Sequence, residues 1–409
     1  MEGLLFLCHR IPYPPNKGDK IRSYHLLCHL SRHYRVYLGT FIDDPADREH
    51  RHAVAELCAD SYFAEIDPRL AKLASLPQLL RGAPLTSGFY RHRGLAGWIA
   101  HTVEQHGLQR ALVFSSGVAP FLDEPRYAGL RRVCDLVDVD SDKWAQYSRS
   151  QSWPMSWVYR REARTLAELE ASIVRRYDAS VLVTEQEVAL LRDRVADAAP
   201  RIHAIHNGVD SEYFQPGDYP DPYGAGGPTL VFTGSMDYWA NVDAVCWFAD
   251  AVLPQLQQQR PELRFAVVGN RPTPAVQRLA ERPGVIVTGR VADMRPYLAH
   301  AAAAVAPLRI ARGVQNKVLE AMAMARPVVV TRAAMDGIVS CEALERLVVD
   351  EPAAMAECLL QLLAEGDIAG YGRIGRDWVL RHYHWERNLQ DFDRLLEQGI
   401  EDRAAAALT

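Results

Sequence analysis

Apolar and polar positions alternate along this chain in two rhythms. Short runs rich in Val, Ile, Leu and Phe are separated by longer stretches in which apolar residues return every three or four positions. Leu4–Cys8, Arg35–Phe41, Ala111–Ser115, Arg132–Val137, Ala179–Thr184 and Ile202–Ile205 read as strands, and Asp19–His33 and Gly94–His106 read as helices between them. Asp210–Thr229 then breaks the rhythm with Pro216, Gly217, Pro220, Pro222, Gly224, Gly226, Gly227 and Pro228, the density of breakers expected of a linker. Beyond it the alternation restarts, with Thr229–Thr233, Leu263–Val268, Val285–Thr288, Ala302–Ala306, Val328–Thr331 and Leu347–Val349 as strands. The last periodic stretch, Glu386–Gln398, places Leu389, Phe392, Leu395 and Leu396 on one helical face.

Strand–helix alternation on both sides of a linker predicts an α/β protein of two Rossmann-like domains facing a cleft. The expected division is residues 1–210, a linker at 211–228, a second domain at 229–385, and a C-terminal helix and tail at 386–409 packing back on the first domain. A chain of 409 residues is too long for one ordinary core, which agrees. Ligands of such sheets bind beyond the carboxyl ends of strands, so chemistry is sought in the loops that follow them.

Composition narrows the classes. Charged residues are 24% of the chain and no apolar run is long enough to span a bilayer. The start lacks the charged and apolar regions of a secretion signal. A net charge of −5 argues against a nucleic-acid partner. The charge is uneven, because basic residues outnumber acidic ones nine to three between Arg69 and Arg132. The cysteines at 8, 28, 58, 134, 246, 341 and 358 lack zinc-like spacing. Cys8-His9 and Cys28-His29 read as packing cysteines beside unrelated histidines, and the expectation is a cytoplasmic protein with no metal.

The most informative stretch is Pro307–Thr331. It reads as strand end, glycine turn, helix, proline break and strand. Gly313 lets the backbone approach a ligand. Val314, Gln315 and Asn316 enter a helix whose first N–H groups favour a diphosphate. Lys317 adds a cation, and Glu320 lies three residues on, on the same face, where a carboxylate can accept two hydrogen bonds from a ribose diol. The spacing equally fits a surface Lys–Glu pair.

This stretch resembles the donor-site signature of the retaining GT-B glycosyltransferases called family 4, the group 1 glycosyl transferases. The resembling residues are Glu320, Ala321-Met322-Ala323 and Pro327-Val328-Val329. Asn207-Gly208-Val209-Asp210 is similar to the segment that joins the domains in that family. Phe232-Thr233-Gly234-Ser235-Met236 is similar to its first donor-domain strand and glycine loop, and Val267-Val268-Gly269 with Gly289-Arg290-Val291 to its nucleobase wall. In the first half, His9–Arg22 and Asp135–Trp144 resemble a narrower group, the sugar transferases encoded with exosortase/PEP-CTERM exopolysaccharide systems.

The resemblance implies a UDP- or GDP-linked sugar as donor substrate and no cofactor. It implies donor contacts at Gly234, Ser235, Gly269, Arg290, Val291, Gly313, Val314, Gln315, Asn316, Lys317 and Glu320. The sequence also departs from the family. Arg312 stands where a glutamate is usual, and Ser235 and Asn241 stand near positions where an arginine and a lysine are usual. The usual loop histidine is not evident, and Asp138 and Asp140 occupy its neighbourhood.

Lys317 and Arg309 are therefore expected to neutralise the leaving phosphate in place of a metal. Asp138 and Asp140 are expected to orient or deprotonate the acceptor; the alternatives are a cap before the Trp144 segment and, from the Asp-Val-Asp spelling, a metal. Lys17, Gly18 and Arg22 form either a phosphate loop or a flexible turn. Trp153, Trp157 and Tyr159, beside Arg160 and Arg161, belong either to a membrane contact or to a packed helix with exposed arginines.

The implied acceptor is a polyprenyl-diphosphate-linked or oligosaccharide molecule presented at the inner face of the cytoplasmic membrane. Competing readings are a nucleotide-sugar epimerase and a non-catalytic nucleotide-sugar binder. A dehydrogenase is disfavoured, because no GxGxxG follows the first strand.

Overall fold

The computed structural model describes residues 1–15, 18–311, 313–364 and 368–398. The chain divides into two compact units, Met1–His206 with the residues from Leu389 onward, and Asn207–Asn388. Lys17 and Arg312 lie outside the described residues.

The first unit is built on a seven-stranded parallel sheet. Its strands are β1 (Gly3–Cys8), β2 (Arg35–Ile42), β3 (Asp60–Glu65), β4 (Arg110–Phe114), β5 (Arg131–Val137), β6 (Ala179–Leu182) and β7 (Ile202–Ala204), in the order β3-β2-β1-β4-β5-β6-β7. The order reverses between β1 and β4, where the loops leaving two neighbouring strands diverge and open a crevice. β3 escapes a periodicity reading because Asp60–Glu65 has one fully buried residue, Ala64, as suits an edge strand.

The second unit carries β8 (Thr229–Thr233), β9 (Arg264–Val268), β10 (Val285–Gly289), β11 (Ala303–Ala306) and β12 (Val328–Val330), again all parallel, in the order β10-β9-β8-β11-β12. Its crevice lies between β8 and β11. The expected strand Leu347–Val349 is instead an isolated bridge of Val348 to Val330.

The proline- and glycine-rich stretch is not a free linker. Phe214, Tyr219 and Tyr223 pack against the second unit's core, and Tyr223 is fixed by hydrogen bonds at both ends: its hydroxyl donates to Tyr297 O (2.8 Å) and its carbonyl accepts from Arg264 Nη1 (2.9 Å). Asn207-Gly208-Val209 meets the returning chain, with Val209 N donating to Tyr383 O at 2.8 Å and Asn388 Nδ2 to Asn207 O at 3.1 Å. A Cβ at Gly208 would fall 2.6 Å from Trp385 N, so only glycine lets these two passages lie so close.

From Leu389 the C-terminal helix (Trp385–Glu397) belongs to the first unit. Phe392 and Leu396 are fully buried there, Leu395 O accepts from Arg131 Nε (2.9 Å), and Glu397 takes Arg110 Nη2 (2.6 Å) and the Tyr34 hydroxyl (2.8 Å).

Candidate functional site

Two loops flank the second unit's crevice. The first leaves β8 through Gly234 and Ser235; the second leaves β11 through Pro307–Gln315. Gly269, at the end of β9, presses on the first loop so closely that a Cβ there would lie 1.6 Å from Gly234 O. The second loop is tied down by Thr331 Oγ1, which donates to Leu308 O at 2.5 Å. Gly313 has φ 64°, the left-handed turn that feeds the helix Asn316–Ala323. Val314 and Gln315 precede that helix rather than entering it. Its N-cap residue, Gln315, makes no side-chain cap hydrogen bond, which leaves the first N–H groups of the helix open toward the crevice.

Lys317 stands on the first turn. Its Nζ donates to Asn241 Oδ1 at 2.7 Å and lies 4.9 Å from the Phe232 ring centre. Asn241 in turn donates from Nδ2 to Ser235 O at 2.9 Å, so one amide joins the glycine loop to the cation. Burial pulls the Lys317 ammonium down to about 8, against the opposing charge of Glu320. Burial likewise pushes the Glu320 carboxyl up to about 7, against Lys317. Among the described residues Glu320 has no hydrogen-bond partner. This is not the surface ion pair that the spacing allowed. It is a desolvated cation, a carboxylate without a hydrogen bond and an open helix end at the carboxyl side of a parallel sheet, groups whose chemistry suits a phosphate and a diol.

Ser235 Oγ lies 2.6 Å from Asp237 Oδ1 and 2.7 Å from Asn270 Oδ1, which orders the loop but occupies the hydroxyl. Arg290 is exposed after β10, and Val291 packs against the core beside it. Arg309 does not join this group. Its guanidinium forms a two-pronged pair with Asp243, Nε to Oδ2 at 3.0 Å and Nη2 to Oδ1, at the surface. Without a ligand, Arg309 is thus held by a local carboxylate rather than joined to Lys317 and Glu320.

In the first unit the expected residues divide differently. Gly18 opens the helix Gly18–His33. Arg22 is buried completely: its Nε donates to Asp135 Oδ2 at 2.7 Å, its Nη1 to Ile205 O at 3.0 Å, and its guanidinium lies over the Phe392 ring at 5.6 Å. It ties the first helix to β5 and to the C-terminal helix, so its expected phosphate role is corrected. Asp138 and Asp140 both grip Lys143, at 2.5 and 3.4 Å. Nearby, Ser141 N and Oγ donate to Glu170 at 2.9 and 2.5 Å, which anchors the helix start beneath them. The aspartates are thus a clasp around a lysine and not bare bases.

Sequence reasoning overlooked a cluster at the first unit's crevice. Arg10 binds Asp19 (2.7 Å) and Asp43 (2.8 Å), and His9 Nε2 lies 3.4 Å from Asp19 Oδ2. The His9 ring stacks on Phe114 and meets the Tyr90 edge, and its Nδ1 is buried without a partner. Burial alone would raise the Asp19 carboxyl, but the His9 hydrogen bond and the Arg10 charge hold it well below the usual range. The available signal was position: His9-Arg10 follows β1, Asp43 follows β2, and both precede crevice loops.

Residues 227–365 match the family described as Glycosyl transferases group 1. No curated protein matches the chain in sequence. Among solved structures, sucrose-phosphate synthase from Thermosynechococcus elongatus is 18% identical with a TM-score of 0.68, covering 97% of this chain and 99% of its own. The Anabaena protein Alr3699/HepE, solved with UDP and glucose, is 14% identical with a TM-score of 0.62 over the same shares. A trehalose-6-phosphate protein from E. coli, bound with UDP-2-fluoro glucose, is 13% identical with a TM-score of 0.63, again over 97% and 99%. The fold is GT-B, two parallel-sheet α/β domains, and the domain match with these likenesses supports a glycosyltransferase.

Proposed function

We propose that the chain is a retaining, metal-independent family 4 glycosyltransferase that moves a sugar from UDP or GDP onto a polyprenyl-diphosphate-linked or saccharide acceptor in exopolysaccharide assembly. The observation that carries this reading is the set of Lys317, Glu320 and the uncapped helix start at the β8/β11 crevice. In the reading, Glu320 accepts the ribose hydroxyls. The diphosphate lies against the N–H groups of the helix start, and Lys317 stabilises the charge that grows on the leaving phosphate. No cofactor takes part. The structures with UDP-sugars bound in similar folds favour a uridine donor.

The proposed location is the inner face of the cytoplasmic membrane. No helix among the described residues is long and apolar enough to cross it. Support comes from an exposed apolar set in the first unit, Leu70, Leu73, Leu76 and Leu80 interleaved with exposed Arg69, Lys72 and Arg81. Trp153 and Trp157 are exposed as well. Arg161 is not the exposed arginine the sequence allowed; it is buried and donates to Gln78 O (2.8 Å) and Leu79 O (3.2 Å), tying the tryptophan-bearing helix to the leucine-bearing segment. Cations over leucines fit an anionic lipid surface.

The test is a melting-temperature screen of nucleotide sugars, followed by release of the nucleoside diphosphate with and without membrane lipid extract. Acceptor-dependent release that survives EDTA supports the proposal. Product without acceptor makes the chain an epimerase, binding without turnover makes it a sensor, and Mg²⁺-reversible loss in EDTA removes metal independence.

A further inference from the structure

The first unit holds a second cluster with its own chemistry, at the end of the helix Gly18–His33 opposite the crevice. We propose that His29, His33 and Asp393 bind one transition-metal dication, with zinc the best chemical fit. One ligand atom from each lies within 4.8 Å of the others. His29 and His33 are four residues apart and so share a helix face, and their ring centres are 4.8 Å apart. Asp393 comes from the C-terminal helix, its Oδ2 2.8 Å from His29 Nε2.

The independent observation is unsatisfied bonding capacity. His29 is only 3% exposed, yet its Nδ1 has no hydrogen-bond partner, and neither has the buried Asp393 Oδ1. The His–Asp hydrogen bond leaves one buried carboxylate oxygen of Asp393 unused, which a folded protein tolerates poorly. A dication between His29 Nε2 and Asp393 takes the place of that hydrogen bond and can draw on the orphaned Asp393 Oδ1 as well, while His29 Nδ1 faces away from it.

The donor set selects the metal. Two imidazoles and one carboxylate suit zinc and disfavour calcium or magnesium, which prefer oxygen donors alone. Three protein ligands leave a fourth position for water. The neighbouring carboxylate, Glu397, is already held by Arg110 and Tyr34. Tetrahedral zinc bonds of about 2.0–2.2 Å bring ligand atoms to roughly 3.3 Å apart, and the exposed His33 ring supplies the adjustment. The C-terminal end of a helix also favours a cation. Bound there, the metal fastens the C-terminal helix to the first helix within the first unit.

The test uses the full chain, stripped with a chelator and dialysed. Calorimetric titration with zinc is expected to give one site per chain of micromolar or tighter affinity. Cobalt in its place is expected to give the visible absorption of a low-symmetry site, and zinc is expected to raise the melting temperature. His33→Ala, at an exposed position, should weaken binding at least about tenfold while circular dichroism stays unchanged, and Asp393→Asn should do the same. Cys28→Ser should change nothing. The proposal is overturned by no stoichiometric binding at 100-fold excess zinc, by binding that survives His33→Ala, or by binding that disappears with Cys28→Ser.

Discussion

The two crevices of this protein treat charge in opposite ways. In the first unit every charged group named at the strand ends has an opposite charge from the same unit: Arg10 has Asp19 and Asp43, Lys143 has Asp138 and Asp140, Arg22 has Asp135. In the second, Lys317 hydrogen-bonds to an uncharged amide, Glu320 has no hydrogen-bond partner among the described residues, and a helix start is left uncapped. A self-neutralised set holds its shape without a ligand. A set with displaced proton affinities is less favourable empty than filled, and that difference is available for binding.

The comparison breaks most visibly at Arg22. Removing it strands Asp135, whose carboxyl burial already raises against the Arg22 charge. Arg22→Met is expected to lower unfolding free energy by about 3–5 kcal/mol in a urea titration followed by circular dichroism. A variant of native stability that has lost phosphate binding would put Arg22 back among the ligand contacts. Next comes Lys317→Met, expected to reduce kcat/KM for transfer by about 10²–10³-fold, since it removes a preoriented cation from the leaving group. An unchanged rate would show that the crevice cation is elsewhere.

Glu320→Gln should weaken nucleotide binding by roughly 1.5–3 kcal/mol in calorimetry, with the fold intact. The same pair sets a pH window. Glu320 must be ionised to accept two hydrogen bonds, and its carboxyl sits at about 7; Lys317 must be protonated, and its ammonium sits at about 8. Affinity for UDP is therefore expected to be highest between about pH 7 and 8. It should fall on the acid side as Glu320 takes up a proton and on the alkaline side as Lys317 loses one. A flat profile from pH 6 to 9 would mean that the pair is not in the site. The smallest effect belongs to Arg309→Ala, expected to change kcat/KM less than about threefold, because Asp243 holds its charge at the surface. A loss comparable to that of Lys317→Met would return Arg309 to the phosphate.

How much of this was legible in the sequence follows from how local each feature is. Eleven of the twelve strands among the described residues announce themselves as apolar runs. β3 does not, because an edge strand needs no buried face on both sides. The Lys317–Glu320 spacing and Gly313 lie within one turn of helix and its loop, so they could be read directly. Arg309 looked available because its partner Asp243 lies 66 positions away. Arg22 looked like a loop cation because Asp135 is 113 positions away. His29 read as an unrelated histidine beside Cys28 because Asp393 lies 364 positions beyond it. Sequence spacing reports neighbours along the chain, and these three roles are set by neighbours across the fold.

The C-terminal helix has a consequence for how the molecule is made. The first unit is begun by the opening residues but closed only by Phe392, Leu395 and Leu396, after the whole of Asn207–Asn388. A ribosome therefore releases an unfinished first unit, with an apolar groove open and Arg22 uncovered on one side, and must complete the second unit before the missing piece emerges. The second unit, made from one uninterrupted stretch, can fold as soon as it is out. Order of synthesis and order of completion are thus reversed, and a single cut in the chain cannot yield two self-sufficient halves. A fragment ending at His206 should stay prone to aggregation until a peptide carrying the 389–398 helix is added to it.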